Sequence, residues 1–301
     1  MTESGEREIT AKINTAELVK AWEERAEKAR GVTVVTALGA KTDLGRIREN
    51  NEDKFEFFIP EDGDTLAAKG AFYAVADGMG GHSAGQIASE LALKTAIGAY
   101  YADPSPIVEE SLRQALQQAN ALIYDAARAI TERSGMGTTM TALVVRGEEA
   151  FIAQVGDSRC YLIRDGRIRQ VTEDHSWVNE QVKRGGLTEE EAASSPFRNV
   201  ITRSLGNVPN VDVDVFTEKI EVGDVFVLCS DGLSGEVTDE EILQATRGSS
   251  PSKAAWDLVD LALEHGGRDN VTVLVVAVRD IIKDTGERSR KRKGIAGLFG
   301  R

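Results

Sequence analysis

The chain has little of what several protein classes depend on. In 301 residues it carries two cysteines, Cys160 and Cys229, and three histidines, His82, His175 and His265. Both cysteines sit in apolar, strand-like runs without CxxC spacing, which argues against a disulfide framework and reads as buried reduced thiols. The histidines show no HExxH-like spacing and the cysteines offer no thiolate set, so zinc chemistry has little to build on. No stretch approaches the roughly 18 to 20 uninterrupted apolar residues of a membrane span. Residues 1–30 are too charged for a secretory signal, and a cytoplasmic location is expected. Basic charge is also short: 36 Lys and Arg stand against 49 Asp and Glu, a net of -13, which argues against nucleic-acid binding by the main body.

What the chain has is a globular composition, 41% hydrophobic, arranged in blocks of strands and helices. Strands are expected at 32–38, 54–59, 71–76, 140–146, 150–155, 160–164, 167–171, 211–217, 224–229 and 271–278, all rich in Val, Ile, Phe and Tyr. Two long helices between the third and fourth carry apolar stripes, Ala84, Ile87, Ala88, Leu91, Ala92 and then Val108, Leu112, Ala115, Ala119, Leu122. Thr188 to Glu191 and Thr238 to Glu241 fit capping boxes, and Ser250 before Pro251 fits an N-cap with proline at N1. The strands cluster as hairpin-like pairs instead of alternating with helices, which favours α+β with antiparallel sheets. Residues 14–30 read as a charged helix with Leu18, Trp22 and Ala26 or Ala29 on one face.

Four short carboxylates lie at the ends of predicted core strands. Asp77 follows AFYAVA, Asp157 follows FIAQVG, Asp231 follows DVFVLCS, and Asp269 with Asn270 precedes VTVLVVAV. Each Asp alone, two of them followed by Gly, reads as an ordinary turn. Together they read as rigidly delivered oxygen ligands, a donor set that selects magnesium, manganese or calcium. Two such ions sharing a water are suited to attack on phosphate esters. Arg46 and Arg48, just before the Asn-Asn-Glu-Asp turn, offer a guanidinium fork for a phosphate; the competing reading is a surface arginine beside acids.

The segments RENNED (48–53), VADGMGGHSAG (75–85), GMGTTMTALVV (135–145), VGDSRCYLIRDG (155–166), LCSDGLSGEV (228–237) and GGRDNVTVLVV (266–276) resemble, in order, the motif set of bacterial metal-dependent protein serine/threonine phosphatases of the protein phosphatase 2C type. The resemblance spans about residues 31–280. It implies a four-layer α-β-β-α sandwich with two central antiparallel sheets and a Mn2+ or Mg2+ site in the cleft between their edges. It also implies hydrolysis of phosphoserine and phosphothreonine by a metal-bridging hydroxide. Carried over by position, Asp77 bridges two metals, the Gly78 carbonyl ligates one, and Asp231 and Asp269 bind the other. Asp53 and Glu52 act through bound waters, Arg48 clamps the substrate phosphate, and Asp157 matches the position of a third, looser ion. Animal members carry a histidine two residues after the bridging aspartate, where this chain has Met79; the proton donor is either His82 or a metal-bound water. Gly80, Gly81 and Gly85 let the chain double back into the following helix.

Residues 172–206 resemble the flap that borders the active site in bacterial members. His175 and Trp177 at its start either touch substrate or serve packing, and His265 fits a helix C-terminus. The expected organisation is an N-terminal helical extension (1–30), a catalytic domain (31–281) and a basic tail (282–301). A phosphoprotein-binding pseudophosphatase would be marked by a lost carboxylate, and none is lost. A phosphatase of small esters is the other alternative. Expected partners are phosphorylated proteins and a serine/threonine kinase or its targets, with the chain a monomer. From Ile281 to Arg301 seven basic residues face Asp284 and Glu287, and Ile295, Leu298 and Phe299 follow the basic run. That tail reads as a membrane-surface anchor, a docking peptide or a segment without a task.

Overall fold

In the computed structural model the described residues are 31–81 and 83–283, with 20, 23 and 24 ahead of them. The strands are β1 (Val32–Asp43), β2 (Lys54–Phe58), β3 (Ala71–Ala76), β4 (Gly78–Met79), β5 (Gly137–Thr138), β6 (Met140–Arg146), β7 (Glu149–Val155), β8 (Arg159–Arg164), β9 (Arg167–Gln170), β10 (Asp214–Lys219), β11 (Val225–Cys229) and β12 (Val271–Lys283). The α-helices are α1 (Gly63–Lys69), α2 (Ser83–Ala102), α3 (Val108–Ala129), α4 (Trp177–Lys183), α5 (Glu189–Ser194), α6 (Asp231–Ser234), α7 (Asp239–Thr246) and α8 (Pro251–Glu264). Two antiparallel sheets result, ordered β1-β12-β11-β8-β9 and β10-β7-β6-β3-β2, with β4 and β5 a small separate ribbon.

Period-two side chains make the sandwich. On β3, Phe72, Ala74 and Ala76 join the apolar stripes of α2 and α3, while Ala71, Tyr73 and Val75 meet Phe226, Leu228, Leu274 and Val276 of the other sheet. The far side of that second sheet, through Val227, Cys229, Val273 and Val275, packs on Leu258 and Val259 of α8 and Ile242 of α7. Three apolar interfaces therefore separate four layers, as expected from the sequence. Leu116 on α3 is fully buried in the first of them, and trimming it to Ala should cost about 2–5 kcal/mol. Cys160 and Cys229 are free, buried and face different interfaces. Burial pushes the Cys229 thiol up to about 12.

Several boundaries moved for identifiable reasons. β1 continues to Asp43 because β12 pairs with it along its whole length, across a bulge that leaves Arg279 unmatched. β10 starts at Asp214, which is where its pairing with β7 begins, although Val211 and Val213 ahead of it are buried. The helix α1, unread in the sequence, has no buried residue and hence no stripe; Asp62 caps it by accepting from the Thr65 amide at 2.8 Å. Both capping boxes and the Ser250 cap are present. Among the described residues no helix is long and apolar enough to cross a membrane. The expected helix over 14–30 and the basic tail beyond Lys283 fall mostly or wholly outside the described residues.

Candidate active site and metal centre

Antiparallel registry delivers the carboxylates to one end of the sandwich. The C-terminal end of β3 and the N-terminal end of β2 adjoin through Ala76 and Lys54, and β7 ends beside the start of β6 through Val155 and Met140. In the other sheet Cys229, at the end of β11, pairs with Val273 near the start of β12. Asp53 and Asp77 therefore come from one sheet, Asp231 and Asp269 from the other, and Asp157 from the turn between β7 and β8 that joins them. Ser230 joins the two groups: its hydroxyl donates to Asp53 Oδ2 at 2.6 Å and accepts from the Thr272 amide at 3.0 Å.

The cluster carries more negative charge than its protein partners offset. Burial, then the neighbouring carboxylates of Asp231 and Asp269, raise Asp53 to about 7 against the hydrogen bonds from Ser230 and Thr272. Burial and the charge of Asp231 raise Asp157 to about 8. Asp77 lies well above the ordinary carboxylate range, from burial and then Asp53, and Asp231 is raised by burial and then Asp269. Asp53 Oδ1, Asp157 Oδ1 and Asp231 Oδ1 are buried without a hydrogen-bond partner. Unpartnered buried carboxylate oxygens are costly, and hard divalent cations are the partners that suit them. The residues fit Mg2+ or Mn2+ on that ground. Among the described residues no group of three or more His, Cys, Asp or Glu side chains stands arranged to hold an ion by itself, so a bound ion would need backbone or water ligands as well.

Glycines bring the backbone close. Gly80 and Gly81 have φ of 129° and 73°, left-handed values that support the expected reversal into α2. Gly85 has a different task, which corrects its sequence-based role. It is helical, and a Cβ there would lie 1.8 Å from Glu52 Oε2. A Cβ on Gly78 would meet the Gly85 carbonyl oxygen at 2.1 Å and the Glu52 carbonyl oxygen at 2.7 Å. Threonines hold the Asp77 backbone: Thr139 Oγ1 accepts its amide at 3.0 Å, and Thr138 Oγ1 donates to its carbonyl at 2.8 Å. Thr139 Oγ1 also lies 2.6 Å from Ser158 Oγ, linking the Asp77 turn to the Asp157 turn. Ser230, Thr138, Thr139 and Asn270 went unassigned in the sequence, though each sits inside one of its motifs.

The two arginines separate. Arg46 Nε donates to the Leu263 carbonyl at 2.8 Å and its amide to the Gly267 carbonyl at 2.7 Å, so it anchors its loop. Arg48 reaches into the cluster, donating from Nη2 to Asp269 Oδ2 at 2.6 Å, while half its side chain stays exposed. That pairing raises its pKa further above the usual arginine value.

A cavity of ≈ 900 Å³ opens from Asp157 and Asp231 and runs beneath residues 173–199, past Arg198 and Arg268. His175 and Trp177, at the start of the same segment, do not line that cavity and are engaged in packing and hydrogen bonds. The Gly156 amide donates to His175 Nδ1 at 3.0 Å, so the ring proton sits on Nε2 and goes to Asp214 Oδ2, also 3.0 Å away. Burial, with Arg203 alongside, holds His175 below the ordinary histidine pKa. Trp177 packs edge-on against Phe197 with ring centroids 5.2 Å apart. His265 caps the C-terminus of α8, as expected, and donates from Nδ1 to the Glu236 carbonyl at 2.8 Å. His82 lies outside the described residues.

Known proteins are similar to this chain in sequence and fold. Residues 42–271 match the family model described as protein phosphatase 2C. The chain is 38% identical over 243 residues to the serine/threonine phosphatase stp of Listeria welshimeri, covering 78% of this chain and 93% of that protein. It is 38% identical over 249 residues to the serine/threonine protein phosphatase PstP of Mycobacterium tuberculosis, covering 83% of this chain and 46% of that longer protein. The fold is similar to the crystal structure of the catalytic domain of PstP in complex with 2 manganese ions, with a TM-score of 0.71 at 36% identity over 82% of this chain and 100% of that one.

Proposed function

Because the chain belongs to the protein phosphatase 2C family, we propose that it hydrolyses phosphoserine and phosphothreonine esters in proteins with Mn2+ or Mg2+ as cofactor. The carrying observation is the convergence of carboxylates from both sheets, with unpartnered buried oxygens, beside the guanidinium of Arg48. Asp77, the Gly78 carbonyl, Asp231 and Asp269 would hold two ions, Asp53 and Glu52 would act through water, and Asp157 would hold a third. Bound divalent ions supply an activated water and offset the charge of the phosphoryl oxygens.

The protein's own part is positioning. Ser230 orients Asp53, and Thr138 and Thr139 fix the backbone that carries Asp77. Arg48 turns its planar fork to the substrate phosphate, holding it in line for attack. Either His82 or a metal-bound water would give the leaving alkoxide its proton. The cavity beneath 173–199 continues well past the carboxylates, which favours a peptide over a small ester. On this reading residues 31–281 form the catalytic domain, acting as a monomer on the targets of a serine/threonine kinase.

Phosphate release from a phosphothreonine peptide and from p-nitrophenyl phosphate, each with manganese, tests the reading. A higher kcat/KM on the peptide supports it. Activity confined to the small ester overturns the protein-substrate assignment.

A further inference from the structure

The loop from Leu44 to Glu52 carries Arg48 midway, and one buried side chain just ahead of β12 grips both of its ends. Asn270 Nδ2 donates to the Leu44 carbonyl at 2.8 Å and to the Asn50 carbonyl at 3.0 Å. Asn270 Oδ1 accepts the Glu52 amide at 2.8 Å. Both amide hydrogens and the carbonyl oxygen are thus engaged, and the network fixes which way the amide points. The residue is 5% exposed, so little water is available to replace those bonds.

Other backbone ties of the loop's first half lie close by. The Gly45 amide donates to Asp43 Oδ1 at 2.9 Å, and the Arg46 amide donates to the Gly267 carbonyl at 2.7 Å. Gly45, at φ 80°, passes so near the Asp269 carbonyl that a Cβ would lie 2.2 Å from it. The backbone around Arg48 therefore hangs between points held at residues 44, 46 and 50, while its side chain is held by Asp269 Oδ2 at 2.6 Å. Asn270 supplies two of those three, and through the Glu52 amide it also sets where the loop rejoins the carboxylate cluster.

We propose that Asn270 is a positioning residue for substrate binding: its three hydrogen bonds set the height of the loop from which Arg48 reaches over the site. This rests on the reading of Arg48 as the phosphate clamp. A planar guanidinium binds phosphate through two parallel hydrogen bonds, and that geometry is lost on a displacement of about 1 Å. Asparagine is the residue type that suits the position. Aspartate, of the same shape, would set a carboxylate oxygen against two carbonyls in place of donors, and serine is too short to span both carbonyls.

The test is a double-mutant cycle with Arg48→Ala, run on Asn270→Asp and on Asn270→Ser, which adds no charge, using the full chain with saturating manganese and a phosphothreonine peptide. Circular dichroism melts accompany every variant, and a variant is entered in the cycle once it melts cooperatively. With Arg48 present, each Asn270 variant is expected to raise KM roughly tenfold and to change kcat less than about threefold. In the Arg48→Ala background the same substitutions should move KM by less than about twofold, because the clamp they displace is already gone. The manganese concentration for half-maximal activity should stay within about twofold of wild type.

An equal KM rise with and without Arg48 would overturn the proposal, as would an unchanged KM. A shift confined to the manganese requirement would also overturn it, placing Asn270 in support of Asp269 instead. An unchanged KM in Arg48→Ala alone removes the clamp and this inference with it.

Discussion

Ser230 Oγ lies 2.6 Å from Asp53 Oδ2 and donates to it, although the two residues belong to different sheets. The same oxygen accepts the Thr272 amide at 3.0 Å, so one hydroxyl ties Asp53 to the start of β12. Replacing Ser230 by Ala leaves a buried carboxylate oxygen with fewer donors, a loss of about 1–3 kcal/mol. We expect denaturant melts to show that loss and the manganese concentration for half-maximal activity to rise several-fold. An unchanged requirement would mean that Asp53 takes no part in holding the ions.

Two glycines of α2 should respond in opposite ways. Gly98 has open space where a Cβ would go, so Gly98→Ala should stabilise by up to about 1 kcal/mol through helix propensity. Gly85→Ala would put its methyl 1.8 Å from Glu52 Oε2, and overpacking of this kind costs about 1–3 kcal/mol. Thermal melts compare the pair directly. The same sign for both would show that Glu52 moves aside freely.

Arg48→Ala should act on binding. Losing one charge-assisted bond to phosphate costs about 1.5–3 kcal/mol, which corresponds to a KM higher by at least roughly 10- to 150-fold. Peptide kinetics under saturating manganese measure this, and an unchanged KM would remove Arg48 from the phosphate.

Metal removal should depend on pH in a defined direction. Asp53 is raised to about 7 and Asp157 to about 8, whereas an unfolded chain ionises both near ~3.9. Between those values the folded protein without metal keeps protons that the unfolded chain has released. Stability from these groups is therefore greatest at low pH and falls as pH rises toward about 8. Divalent cations take the place of the protons, so manganese should raise the Tm more at about pH 8 than at about pH 5.5. Equal shifts at both values would show that these carboxylates do not meet the metal.

The layers and the strand ends were legible in the sequence because burial writes itself as periodicity. Phe72, Ala74 and Ala76 against Ala71, Tyr73 and Val75 describe two apolar faces of one strand, and an aspartate follows directly. α1 left no such mark, since its cap is local and its faces are exposed. Gly85 was legible as a glycine but not as a close approach, because Glu52, its neighbour in space, is 33 positions earlier. Ser230 and Asn270 stayed hidden for the same reason: each acts across the two sheets, and only the antiparallel registry shows what it meets.

The central claim is that Asp231 and its neighbours hold ions that the reaction requires. It is tested most directly by phosphate release from a phosphothreonine peptide, with manganese and with chelator, by the wild-type chain and by Asp231→Asn. The wild type should be active with manganese and silent with chelator. The variant should lose at least the roughly 100-fold that removal of an outer partner of a metal ligand can cost. Activity that survived both the chelator and the substitution would contradict the account.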